Sequence, residues 1–193
     1  MPLCAPSPEP MFSSLTTSRS MVRHAMSQGV RAVVGIGESL PLESATTDLV
    51  YFHLSIHHGD WRAMLDEAWR VIRSGGVIWV WTMSDEHHRS SFLAEWFPSV
   101  AAIDEERFPP VTDLEEYLKS FGGFPTTVKH CDMVERPARS WIAAVEPGFL
   151  STLHLISQRE IEEGLDRFRR AYPNDSQSVT YQLRLSGVWS QRP

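Results

Sequence analysis

Two periods of hydrophobic residues divide this chain. Arg31-Ala-Val-Val-Gly-Ile36 is a short apolar run closed by Gly35, Gly37 and Pro41, which predicts a buried strand. Asp48-Leu-Val-Tyr-Phe-His-Leu-Ser-Ile56 is apolar at positions of both parities, the pattern of a parallel strand covered by helices on both faces. From Asp60 to Arg73 the period lengthens, and Trp61, Leu65, Ala68, Trp69 and Ile72 fall on one side of a helix. Asp60 caps its start, Arg70 and Arg73 suit the negative end of its dipole, and Gly75-Gly76 supplies the stop. Val77-Ile-Trp-Val-Trp81 is a third buried strand. Strand, helix, Gly-Gly, strand predicts the parallel crossover unit of an α/β fold.

On the N-terminal side a short helix is expected near Ser20–Gln28, stopped by Gly29. Before it, Pro2, Pro6, Pro8 and Pro10 deny the backbone its donors, so residues 1–17 read as a disordered leader and 18–193 as one domain. Downstream, Thr112-Asp-Leu-Glu115 reads as a capping box opening a helix that Gly122-Gly123 ends, and Thr126–His130 as a strand. Residues 134–156 are mixed, with Trp141, Ile142, Val145, Phe149, Leu150, Leu153 and Ile156 predicting helical structure near an acceptor pocket. A second capping box, Ser157-Gln-Arg-Glu160, opens a helix with Ile161, Leu165 and Phe168 on one side. The chain closes on a strand that alternates Val179, Tyr181, Leu183 and Leu185 against Thr180, Gln182 and Arg184.

Composition narrows the function classes. The formal charge of −6 over 193 residues opposes bulk binding to nucleic acid or an anionic membrane, both of which need a basic face. Two cysteines, Cys4 and Cys131, cannot staple a domain and point to a reducing compartment. No secretory h-region is visible, and the longest apolar run, Val77–Trp81, falls far short of a membrane span. A cytoplasmic protein is expected.

The order of features from about Ser18 to Trp81 resembles the Rossmann-like, class I S-adenosylmethionine-dependent methyltransferases, of the type-11 kind. The matching residues are Gly35-Ile-Gly-Glu-Ser-Leu-Pro-Leu42, Asp48-Leu-Val50, Ile56-His-His58, the helix from Asp60 to Arg73, and Ser74-Gly-Gly76. The resemblance implies an α/β, mostly parallel sheet with flanking helices and an antiparallel last strand, in the order three, two, one, four, five, seven, six. It implies S-adenosylmethionine as cofactor, bound at the strand ends of the topological switch point. Carried over, Ile36, Gly37 and Glu38 would flank the adenine, and Phe52, His53 and Leu54 would face the amino-acid end of the cofactor.

Two departures accompany it. Where many members of the family place an acid to receive the adenine amine, this chain has Ile36, which offers apolar contact. The glycine-rich first loop and the acid ending the second strand should both precede residue 18, where 17 residues rich in proline and serine leave no room for them. Val33-Val-Gly-Ile-Gly37 follows a strand but opens no periodic helix, so it is a poor substitute. The expectation is a chain truncated at its N-terminal side, with its first two strands missing and strand four left with an open edge. Such an edge must be covered. Strand three could move in beside it, a second copy could form a homodimer there, or the chain is a fragment of a longer gene.

The remaining chemistry divides between sharp and ordinary readings. His57 or His58 could serve as a general base towards an acceptor, against a plain packing role at the strand-to-helix turn. His53 and His57 lie too far apart along a strand end to chelate a metal together, and with His87-His88 they form no known ligand spacing, so no metal is expected. Most tryptophans follow core spacing; Trp96 and Trp141, outside it, are the candidates to line an acceptor pocket. Two function classes stay open: methyl transfer to a small-molecule acceptor, or a non-catalytic methyltransferase-like protein that acts as a binding or oligomerisation partner.

Overall fold

The computed structural model describes residues 13–146, 148 and 150–193. Most of the expected leader lies outside the described residues, but its end does not. Ser13–Thr16 forms strand β1, which pairs in parallel with β2 (Arg31–Val34) across helix α1 (Arg19–Ser27). Ser18 Oγ caps α1 by accepting from the Met21 amide at 3.3 Å. The expectation that both opening strands are missing is therefore corrected by one strand. Four residues free of proline suffice for a short parallel ladder, and every proline of the leader lies upstream of them.

The remaining elements follow in chain order: β3 (Thr47–His53), α2 (Trp61–Val71), β4 (Ile72–Met83), α3 (Asp85–Ser90), α4 (Phe92–Trp96), α5 (Ser99–Arg107), α6 (Val111–Ser120), β5 (Thr126–Pro137), α7 (Ala138–Val145), α8 (Gln158–Ala171) and β6 (Ser178–Gln191). The main sheet has the order β3-β4-β6-β5. β3 and β4 pair in parallel, while β6 runs antiparallel to both β4 and β5. With β1 and β2 as a separate pair, the described strands read three-two, then four-five-seven-six, and the slot between the two groups is where the resemblance places strand one. The α/β, Rossmann-like architecture with flanking helices and an antiparallel last strand is the one expected.

Helix α2 forms where its N-cap and stripe place it, but it ends at Val71, before the expected stop at Gly75-Gly76, which lies in β4. Asp60 Oδ1 accepts from the amides of Arg62 and Ala63 at 3.0 and 3.3 Å. Leu65, Ala68 and Ile72 are fully buried against Ile78 and Val80 of β4, Val188 of β6, and Leu114 and Leu118 of α6. Trp69 stacks on Phe121 and Trp61 meets the edge of Tyr117, so both tryptophans bind α2 to α6. Asp60→Ala should lower stability by about 1 kcal/mol, which for a chain of this size is a fall of roughly 2–4 °C in the thermal midpoint. A melt followed by circular dichroism checks it, and an unchanged midpoint would show that the cap is idle.

A second core gathers Trp96, Phe97, Val100, Trp141, Leu165 and Phe168 from α4, α5, α7 and α8. Trp96 and Trp141 thus belong to packing, and the void beside them is about 10 Å³, room for one water and no acceptor. The sequence pattern misses α3 to α5, each under ten residues and without a long apolar stripe. Of the two expected capping boxes, one forms by half: the Ser157 cap is made, while the Glu160 carboxylate accepts from the Ser99 amide instead of returning to Ser157. Ser157 Oγ caps α8 through the Glu160 amide at 3.1 Å, whereas α6 starts at Val111, with Pro110 at the N-cap, and places Thr112 inside the helix.

The expectation that β3 is covered on both faces holds for one face only. Phe52 is buried and Val50 half-buried on the side of α2 and α6, while Leu49, Tyr51 and His53 on the other side are exposed. Among the described residues, no helix is long and apolar enough to cross a membrane.

Candidate functional site

The carboxyl ends of β3 and β4 turn at the same place into two short helical segments, each carrying a pair of histidines. After His53, Leu54 adopts a left-handed conformation (φ 47°) and donates its amide to Trp81 O at 2.8 Å. A side chain held there stores strain that the surrounding turn must pay for, a frequent mark of functional turns. The 3₁₀ turn Ile56–His58 follows and leads into α2. From β4, Ser84 Oγ caps α3 by accepting from the His87 amide at 3.1 Å.

The end of α5 and the 3₁₀ turn Ser151–His154 meet these histidines. His57 stacks on Phe108 with ring centroids 3.8 Å apart and lies 4.1 Å from the ring of His58. His88 approaches the same Phe108 ring at 4.8 Å. Arg107 donates to Thr152 Oγ1 at 2.9 Å and to Ser151 Oγ at 3.2 Å, and Thr152 Oγ1 donates in turn to Asp104 Oδ1 at 2.5 Å. The His57 Nδ1 atom and both ring nitrogens of His88 are buried with no hydrogen-bond partner among the described residues.

These surroundings set the charges. Burial, with help from His58, Arg107 and His88, lowers the His57 pKa to about 3. Burial and Arg107 lower that of His58. His87 falls to about 4 through burial, His88 and Arg184. Burial also lowers His88, against the pull of Asp104, Asp85 and Glu105, and burial raises Asp104 against its bond from Thr152. All four imidazoles are therefore neutral near pH 7. A general base works best with a pKa near the working pH, and His57 is far below it.

The six residues carried over as cofactor contacts have differing surroundings. Ile36 is half exposed and pairs with Ser39 in a tight turn. Gly37 lies so close to α2 that a Cβ there would meet Met64 Cε at 2.5 Å. Glu38 Oε1 accepts from the Asp60 amide at 3.0 Å, tying this turn to the start of α2. Phe52 has its side chain in the core, so its backbone alone reaches the strand end. His53 is exposed and shares a 2.8 Å hydrogen bond with the Tyr51 hydroxyl. Among the described residues no cluster of three histidine, cysteine or acidic side chains is placed to hold a metal.

Residues 11–80 match the family described as "Methyltransferase domain". Solved structures cover far more of the chain. A protein from Anabaena variabilis, assigned to methyl transfer in an antibiotic biosynthesis pathway, matches 92% of this chain and 81% of its own at 18% identity, with a TM-score of 0.70. The YcgJ protein from Bacillus subtilis matches 93% and 81% at 17% identity, TM-score 0.60. Geranyl diphosphate methyltransferase in complex with S-adenosylmethionine matches 94% and 68% at 16% identity, TM-score 0.53. Among curated proteins, none matches the chain by sequence. The chain has the fold of these solved methyltransferases, and the family match itself covers residues 11–80.

The described residues fit the family's methyl donor on two sides only. The Ile36 turn offers an apolar wall, and the strand end at His53–Leu54 offers backbone and a polar ring. Where the acid for the ribose hydroxyls would stand, at the end of β1, the chain has Thr16-Thr17-Ser18, and Ser18 Oγ is occupied as the cap of α1. Sequence reading reached the pair His57-His58 but missed Asp104, Arg107, Phe108 and Thr152, which come from segments with no periodic signal. The one available hint was Asp85-Glu86-His87-His88, whose two histidines are both buried.

Proposed function

We propose that this protein is a methyltransferase-type domain serving transfer of a methyl group from S-adenosylmethionine to a small-molecule acceptor over the carboxyl ends of β3 and β4. The supporting observation is that both parallel strands end at one place, where Leu54 and Ser84 turn the chain into the histidine-bearing segments. Ligands of open α/β sheets bind outside such ends. Phe108 and the half-buried neutral ring of His57 form an apolar wall there, with the exposed ring of His58 beside it. Displacement at a sulfonium methyl demands alignment and exclusion of water more than a strong base.

Because the ribose acid and a glycine loop are not among the described residues, donor affinity should be weak. Calorimetry on the 193-residue chain is expected to give a dissociation constant between about 100 µM and 1 mM for S-adenosylhomocysteine. Micromolar binding would overturn the weak-cradle reading, and no heat at about 1 mM ligand would overturn donor binding itself. The second reading, a non-catalytic partner protein, is favoured by Thr16-Thr17-Ser18 at the end of β1 and by Glu38 being committed to Asp60.

A further inference from the structure

Among the described residues, the main sheet has one face covered by helices and one face without a helix on it. The ladder places Tyr51 beside Trp79 and Trp79 beside Trp189, and His53 beside Trp81 and Trp81 beside Gly187, with Val128 next across β5. Along β4 the alternation is complete: Ile78, Val80 and Thr82 are fully buried under α2 and α6, while Trp79 and Trp81 on the other side are half-buried. Leu49 and Tyr51 are 47% and 52% exposed. A Cβ at Gly187 would meet the Trp81 ring at 2.5 Å, so the indole lies close over the backbone of β6 and keeps this face low. A solvated sheet face is ordinarily polar, so a contiguous apolar, aromatic patch on one marks a contact surface.

The two edges of this sheet differ in kind. The β5 edge carries Lys129, His130, Asp132, Glu135, Arg136 and Pro137, the charged and proline-bearing devices that keep an edge from pairing. The β3 edge carries no proline, lysine or run of charges. Its one charged side chain, Asp48, is neutralised by Arg73 at 2.6 Å, and His53 is held by Tyr51. In a chain of net charge −6, the strip from β3 to β6 is close to neutral and rich in aromatic rings. Two copies meeting through this strip bring few like charges together.

We propose that this face and its open β3 edge form an isologous interface with a second copy of this chain. A two-fold axis brings Leu49, Tyr51, Trp79, Trp81 and Trp189 of one protomer onto the same patch of the other, a match that a face of one chemistry makes with itself. Tryptophan and tyrosine are the residue types that carry most of the energy in such contacts. Size sets the strength. Four strands at about 4.8 Å spacing and seven residues at about 3.3 Å each give a flat footprint near 19 by 23 Å, about 440 Å². That is roughly half of what a standard interface buries per partner, so association should lie in the micromolar range. The inference is independent of donor binding, since it uses the sheet face and not the strand ends.

Sedimentation velocity of the full chain from about 1 to 200 µM is expected to show a monomer–dimer equilibrium. Leu49→Lys with Tyr51→Lys should weaken the dimer at least about 30-fold while leaving the circular dichroism spectrum and melting curve in place, because both positions are exposed in the single chain. Met133→Lys, on the opposite edge and 62% exposed, should change nothing. A wild-type chain that stays monomeric throughout would overturn the proposal. So would a dimer that survives the double variant, or one that Met133→Lys dissociates.

Discussion

Acidification should unfold this protein well before its carboxylates titrate. His57, at about 3, and His87, at about 4, are held below the ordinary 6.5 by burial, and His58 and His88 shift the same way. In the window between those values and 6.5 the unfolded chain binds protons that the folded chain refuses. Stability is therefore complete above about pH 6.5 and falls as pH drops towards 4, by at most about 1.4 kcal/mol per pH unit for each fully titrating group. Asp104, raised by burial, has the opposite sign and opposes this fall, one group against four histidines. The charged groups facing the cluster divide: Arg107 and Arg184 oppose protonation, while Asp85, Asp104 and Glu105 favour it at His88. Urea midpoints measured from about pH 7.5 to 4.5 should fall steadily with a constant m-value. His57→Gln, which keeps a polar planar side chain but cannot ionise, should flatten the slope. A midpoint that is level or rises on acidification would sink this reading of the cluster.

The sequence pattern was most informative where one element carries its own signals. α2 combines a cap and an apolar stripe, and its observed span, Trp61–Val71, lies within the expected Asp60–Arg73; the expected Gly75-Gly76 stop is not used, because Ile72 already turns extended and starts β4. The Leu-Pro, Asp-Leu-Val and His-His features lie in the segment that matches the family, so the order of β3, α2 and β4 was legible. Three things were not. Strand β1 is four residues long, too short for periodicity, and exists through its pairing with β2. The exposure of Tyr51 was hidden because an apolar residue on a strand looks the same under a helix or bare; what decides is whether another element reaches it. The wall of the site was hidden because Asp104, Arg107 and Phe108 come from the end of α5 and Thr152 from an isolated turn, and tertiary packing alone brings them to His57.

The substitution Gly164→Ala sets two effects of opposite sign against each other. Gly164 sits inside α8, where alanine in place of glycine favours a helix by about 1 kcal/mol. However, a Cβ at this position would overlap the Phe97 ring edge, with Cδ1 at 2.6 Å, and would stand 2.7 Å from the backbone carbonyl of Trp96. Phe97 is 1% exposed and has nowhere to turn, and the Trp96 carbonyl is fixed by the Arg167 guanidinium that donates to it. Overpacking against a ring alone costs about 1–3 kcal/mol; against immobile backbone the upper part of that range applies. The net expectation is a loss of about 1–2 kcal/mol, or roughly 2–8 °C in the thermal midpoint, despite the better helix former. Phe97→Leu makes room for the new methyl, so the double variant should be more stable than the sum of the two single changes allows, by at least about 0.5 kcal/mol of coupling. A Gly164→Ala protein that melts above the wild type would mean that α4 and α8 are not in contact at this point and that the second core is packed differently.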